Sequence, residues 1–243
     1  MPLEQSEGFV LKTFNIGEQD KIVVFFTQDR GLIKGVAKGA RKFGNRFGSS
    51  LEPLSFTKLF YYEKERKELV LISNSDLIES FFDIQKDLKT SYTLSYIAEL
   101  IEEFFPSSSG DDVLFRLLRT ILQSLKQGAD PDFISAYFET WFLKINGFLP
   151  EFKRCKRCRA AAEGKMWLSP KKDGLHCQNC ASEKRIEIPP DFAAFLTWVK
   201  KNPPPQNTAV PFEGVRIKSF QQILRKIIVF HMEKEPKSLR FLD

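Results

Sequence analysis

The sequence predicts an α+β protein: an N-terminal five-stranded barrel of the OB type, followed by an α-helical domain interrupted by a small cysteine-bearing insert. Three observations predict it. The first eighty residues are short runs rich in Val, Ile, Phe and Tyr, broken by Gly, Asn and Asp. From residue 84 onward apolar residues recur at helical spacing. All four cysteines of the 243-residue chain fall within CKRCRAAAEGKMWLSPKKDGLHCQNC, residues 155–180. The expected boundaries are 1–80 for the barrel and 81–243 for the helical domain, with the insert at 151–184.

The barrel strands are read from GFVLKTFNIG, DKIVVFFTQDRG, LIKGVAKGA, SFTKLFYY and ELVLISNS. SFTKLFYY alternates, with Phe56, Phe60 and Tyr62 sharing a face with Lys58 while Thr57, Leu59 and Tyr61 take the other. Five short strands in about eighty residues suit a small closed barrel. Leu88, Tyr92, Tyr96, Ile97, Leu100, Ile101 and Phe104 then predict a helix ending before Pro106 and a Ser-Gly loop. Asp111 and Asp112 open a second helix, whose stripe from Val113 to Leu125 stops at Gly128. Asp130–Pro131 opens a third, closed by Asn146–Gly147. These stripes read as a helix-bundle core rather than a ligand box. After the insert, DFAAFLTWVKK predicts a short helix broken by the prolines at 203–205. Residues 217–232 predict a last one, with His231 packed on its apolar side.

The cysteines are spaced C-x2-C-x18-C-x2-C, inside the window for a tetrahedral zinc ribbon. Gly174 and Pro170 supply turn chemistry for a hairpin between the two knuckles. The N-terminus MPLEQSEGFVLK lacks an apolar signal region, and no apolar run is long enough to span a membrane. The expectation is therefore a cytoplasmic protein, in whose reducing surroundings disulfides are the weakest reading. The spacing favours one structural zinc ion on Cys155, Cys158, Cys177 and Cys180 over a redox pair or unrelated thiols. Four thiolates close the tetrahedron and leave no position for substrate.

The formal net charge is +6 with a pI near 9.0, which permits a polyanionic partner. From Gly31 to Leu51 there is no acidic residue, while Lys34, Lys38, Arg41, Lys42 and Arg46 fall there among several glycines. Glycine lets backbone approach a ligand and the cations neutralise phosphates, but no G-x-x-x-x-G-K-[ST] occurs, so nucleotide hydrolysis is unsupported. A basic loop on a barrel offering Phe56, Phe60, Tyr61 and Tyr62 fits single-strand nucleic-acid binding. The competing reading is a solvated loop above aromatics that all face the core. A second basic cluster, Lys153, Arg154, Lys156, Arg157 and Arg159, surrounds the first cysteine pair. With only His176 and His231, and no readable Ser/His/Asp order, no catalytic site is expected.

The order of these parts resembles the RecO family of bacterial recombination mediators. The residues carrying the resemblance are VAKGARK (36–42), LEP (51–53), YIAELIEEFFP (96–106), FETWFLKINGFLPEFKRCKRC (138–158), WLSPKKDGLHCQNC (167–180) and KSLRFL (237–242). The resemblance implies a non-enzymatic DNA repair and recombination protein that binds single- and double-stranded DNA and anneals complementary strands. It implies partners too: RecR, the acidic C-terminal tail of the single-stranded DNA-binding protein SSB, and, indirectly, RecA. Some RecO proteins lack the cysteines, so this chain resembles the zinc-bearing branch, with its four cysteines as ligands. Lys38, Arg41 and Lys42 fall on the family's barrel-loop motif, whereas Lys34 and Arg46 are added from charge clustering alone. Two other readings remain: a thiol-disulfide oxidoreductase using the C-x-x-C pairs, and an OB/zinc-ribbon RNA-binding factor.

Overall fold

A computed structural model describes residues 2–63, 69–105, 110–182, 186–206, 210–212 and 214–242. Of the expected stop signal, Pro106 and the serines at 107–109 lie outside the described residues.

Five strands close a barrel: β1 (Leu3–Ile16), β2 (Asp20–Thr27), β3 (Gly31–Ala37), β4 (Phe56–Tyr62) and β5 (Val70–Glu79). Their order is β1-β2-β3-β5-β4, with β4 returning to β1. All neighbours are antiparallel except β3 and β5, which run parallel. This is the OB-type barrel the strand pattern predicts, although β1 begins at Leu3 rather than Gly8. Val10, Val23, Phe25, Ile33, Leu59, Tyr61 and Ile72 fill the interior. Gly35 pairs with Val70, and a Cβ added there would lie 2.8 Å from side-chain carbons of both Val70 and Ile72. Glycine at that position is what permits β3 and β5 to meet so closely.

The outer face of the barrel is also covered. Phe9, Phe26 and Phe56 are buried, with ring centroids 5.2, 5.9 and 6.1 Å from that of Phe115. Phe115 belongs to α2 (Asp112–Lys126), which follows α1 (Leu88–Phe104). Asp87 caps α1 by accepting from the Thr90 N–H at 2.8 Å, and that bond holds its carboxyl below the usual range. Asp111 Oδ1 accepts from the Leu114 N–H at 2.9 Å at the start of α2. Accordingly the chain divides by compactness into Met1–Leu122 with Arg240–Asp243, and Gln123–Leu239. The change of secondary structure near residue 80 and the change of compact unit are thus different boundaries, because aromatic packing draws the first helices onto the barrel.

The second unit is built on α3 (Pro131–Ile145), α4 (Phe192–Lys201) and α5 (Gly214–Met232). Asp130 caps α3 and Pro131 takes its first turn, as expected. Phe192, Phe195 and Phe220 form an aromatic centre, the last two with centroids 4.8 Å apart. Through this core runs one ion pair, Arg225 Nε to Glu139 Oε1 at 3.0 Å, with side chains 10% and 0% exposed. Ser135 Oγ donates to the same oxygen at 3.2 Å. His231 stacks flat on Phe148, with centroids 4.1 Å apart, and burial lowers its pKa. Between α3 and α4 lies a three-stranded sheet in the order β7-β6-β8, of β6 (Met166–Leu168), β7 (Leu175–Cys177) and β8 (Glu187–Ile188). Its β6–β7 hairpin is the one foreseen from Pro170 and Gly174.

Candidate nucleic-acid interface and metal centre

The connection from β3 to β4 is compact because it is pinned at several points. Ala40, Phe47 and Leu51 are buried in the barrel core. The Asp20 carboxylate accepts from the Gly39 N–H at 2.7 Å, and Gly39 takes a left-handed φ of 71°. Asn45 Oδ1 accepts from the N–H groups of Phe47 and Gly48 at 3.0 and 3.2 Å. Between these pins the backbone turns outward and exposes Lys38, Arg41, Lys42 and Arg46. Arg41 Nη1 donates to Gly17 O at 2.9 Å, and Arg46 Nε donates to Ser73 O at 2.7 Å. Both guanidiniums are positioned by carbonyls that leave their charge uncompensated. None of the four cations has an acidic partner among the described residues.

Lys38, Lys42 and Arg46 line one surface depression of about 470 Å³, together with Asp20 and Phe43. Lys34 is not part of it. Its ammonium lies 3.3 Å from Glu102 on α1, which also holds Lys12 at 2.8 Å. Burial pushes the Glu102 carboxyl up, but the hydrogen bonds and charges of Lys12 and Lys34 outweigh it and leave its pKa lowered. The aromatic expectation needs correction. Phe56 and Tyr61 are each 2% exposed, under Phe115 and in the barrel interior respectively, so neither has a face for a ligand. Phe60 and Tyr62 are half-buried, with Lys58 Nζ 5.6 Å from the Phe60 ring.

The four cysteines converge. Their sulfurs all lie within 4.8 Å of one another, and Cys158 and Cys177 Sγ are 3.7 Å apart. A tetrahedron with metal–sulfur bonds of about 2.3 Å has edges of about 3.8 Å, whereas a disulfide is about 2.05 Å. The arrangement therefore fits a single ion, and no disulfide joins the cysteines. The Arg154–Ala161 bridge closes the first knuckle on itself, and the Cys155–Leu175 bridge brings it against β7. Burial opposes ionisation of Cys155, but N–H groups of Cys158, Cys177 and Arg157 bring its pKa down to about 6. Burial and the adjacent sulfurs push Cys180 up to about 12. Thiols this close resist losing their last proton unless a cation shares the site. Lys153, Arg154, Lys156, Arg157 and Arg159 are all exposed around it, and Lys156 pairs with Asp173.

The comparisons with known proteins agree with this architecture. The family model "Recombination protein O N terminal" matches residues 1–81, and "Recombination protein O C terminal" matches 85–240. The chain belongs to the RecO family. A "DNA repair protein RecO" of Koribacter versatilis (strain Ellin345) is 32% identical over 241 residues, 99% of this chain and 98% of that protein. One from Caldicellulosiruptor saccharolyticus is 32% identical over 188 residues, 77% of this chain and 76% of its own length. Another, from Syntrophus aciditrophicus (strain SB), is 29% identical over 245 residues, with 98% and 95% covered. This RecO-family chain has a further cationic cluster that the sequence reading missed. Lys144 lies over the Trp141 ring, 4.0 Å from its centroid, while burial and the charges of Lys144 and Lys153 lower the pKa of Lys200. These lysines come from three separate segments, and no linear pattern links them. Among the described residues no helix is long and apolar enough to cross a membrane.

Proposed function

We propose that this chain is a DNA repair and recombination mediator of the RecO type that works by polyanion capture, making and breaking no covalent bond. It binds single- and double-stranded DNA through phosphates, anneals complementary strands, and with RecR helps RecA replace SSB, whose acidic tail it engages. Its place is the cytoplasm, at the nucleoid during repair. The observation that carries the reading is the exposure of Lys38, Arg41, Lys42 and Arg46 on one pinned barrel loop, with no acidic partner among the described residues. Annealing needs two strands neutralised yet held loosely enough for bases to meet, and mobile phosphate contacts meet both needs. Cys155, Cys158, Cys177 and Cys180 would hold one zinc ion, which would supply a structural clasp for the insert rather than a site for chemistry.

The test is a salt titration of binding to a single-stranded oligonucleotide. Replacing Lys38, Arg41 and Lys42 together by Ala is expected to weaken binding by tens of fold and flatten the salt dependence by about three phosphate contacts. Unchanged affinity and slope would remove this loop from the DNA site.

A further inference from the structure

The loop carries two phenylalanines with opposite fates. Phe47 is buried in the barrel core, with the Arg46 guanidinium 4.6 Å from its ring centroid. Phe43 is fully exposed, the most open of the large apolar side chains on the described surface. A single exposed apolar residue is ordinary in itself. The surroundings of Phe43 are what matter. It follows Lys42 directly and lines the same depression as Lys38, Lys42 and Arg46. Asp20, the acid of that depression, has one carboxylate oxygen engaged by the Gly39 N–H. Gly44, immediately after Phe43, has a left-handed φ of 66° with open space around it, so the turn projects the ring clear of the barrel.

An apolar protein partner covering this ring would also have to desolvate the surrounding cations, which opposes it. A ligand with flat apolar faces strung on a phosphate chain meets both demands at once. Base faces are open for stacking in a single strand and are already stacked in a duplex. We infer that Phe43 is a base-stacking contact which makes this loop select unpaired over paired DNA. The inference rests on the phosphate-binding role of the loop and adds to it a chemical reason for strand selectivity.

The experiment uses the full chain at fixed moderate salt with three probes: a single-stranded oligonucleotide, an abasic deoxyribose-phosphate strand of equal length, and a duplex. Phe43→Ala is expected to weaken binding to the base-bearing strand about tenfold, leaving the abasic strand, the duplex and the salt slope unchanged. Phe43→Trp is expected to restore affinity. Its added fluorescence, against the wild-type background of three tryptophans, should be quenched by the base-bearing strand and not by the abasic one. Equal weakening on all three probes would mean a change of loop shape and would overturn the stacking role. A silent Phe43→Ala beside a weakened Lys38/Arg41/Lys42 variant would overturn stacking alone. If both variants were silent, the loop itself would fall as the DNA site.

Discussion

The barrel loop and the cysteine insert are both rich in Lys and Arg, yet they are held in shape by opposite means. In the loop, order comes from the barrel: Ala40, Phe47 and Leu51 are sunk into its core, and Asp20 and Asn45 take up the turning N–H groups. Its cations are left to face solvent. The insert has a small three-stranded sheet with Met166, Trp167, Leu168 and Leu175 buried, and Phe152 packed on Phe192 with ring centroids 4.9 Å apart, a modest apolar area for its length. Its four converging sulfurs offer a second source of order once an ion joins them. Four thiolates with one dication would also place about −2 of charge beside the exposed cations of the first knuckle. Equal basic composition therefore does not mean equal attraction for a polyanion, and the loop is the stronger candidate.

The contrast between loop and insert is tested most directly at the metal. Chelation, or the paired change Cys158→Ser with Cys177→Ser, should unfold the insert, since structural zinc is worth on the order of 10 kcal/mol in small domains. Hydrogen exchange should show loss of protection across residues 153–182 while the amides of β1 to β4 and their loop stay protected. Metal analysis should find one ion per chain beforehand. Loss of protection in the barrel as well would show that its order also depends on the metal.

Next in size is the base from which the insert departs. Glu139 on α3 and Arg225 on α5 form a pair almost closed to solvent. Glu139→Ala removes the carboxylate that neutralises a buried guanidinium and should cost about 3–5 kcal/mol in denaturant unfolding. A loss below about 1 kcal/mol would mean that water or another group compensates Arg225. On the barrel side the matching change is Gly35→Ala, whose added carbon would lie 2.8 Å from atoms of Val70 and Ile72. It should cost about 1–3 kcal/mol by overpacking, read as a lower melting temperature.

How much of this was legible in the sequence follows from whether each signal is local. The strands, the caps at Asp111 and Asp130, and the cysteine knuckles depend on residues a few positions apart, and pattern alone reveals them; the cap at Asp87 is equally local but was not read. Phe56 alternates with Phe60 and Tyr62, so period two assigns all three one exposure, but Phe115 arrives from a distant helix and covers the first. Lys34 reads as one more cation in an acid-free run, whereas the fold delivers Glu102 to it from α1. Glu139 was visible as a charge inside an apolar stripe, yet nothing nearby in the chain names Arg225 as its partner. Phe43 carried a readable signal, an aromatic directly after a basic residue in an acid-free run. Its exposure, however, is set by the turn at Gly44 and the burial of Phe47.

The smallest effect sharpens the contrast between paired and unpaired cations within the barrel unit. Glu102 receives both Lys12 and Lys34, and its carboxyl titrates below the ordinary 4.5. A depressed carboxyl contributes stability that is fully present above its unfolded pKa and disappears as pH falls through the lower folded value. The partners are partly exposed, so the contribution should be below about 1 kcal/mol and reduced by salt. Glu102→Gln should therefore lower stability slightly at pH 7, and the difference from wild type should shrink as acidification protonates the wild-type carboxyl below its lowered folded pKa. The same variant releases two lysines from their partner, so it tests the assignment of DNA binding to the loop. If Lys34 is a structural cation, single-strand affinity in Glu102→Gln should rise less than twofold. A larger gain would mean that Glu102 masks a phosphate-binding lysine and that the cationic site extends from the loop down along β3.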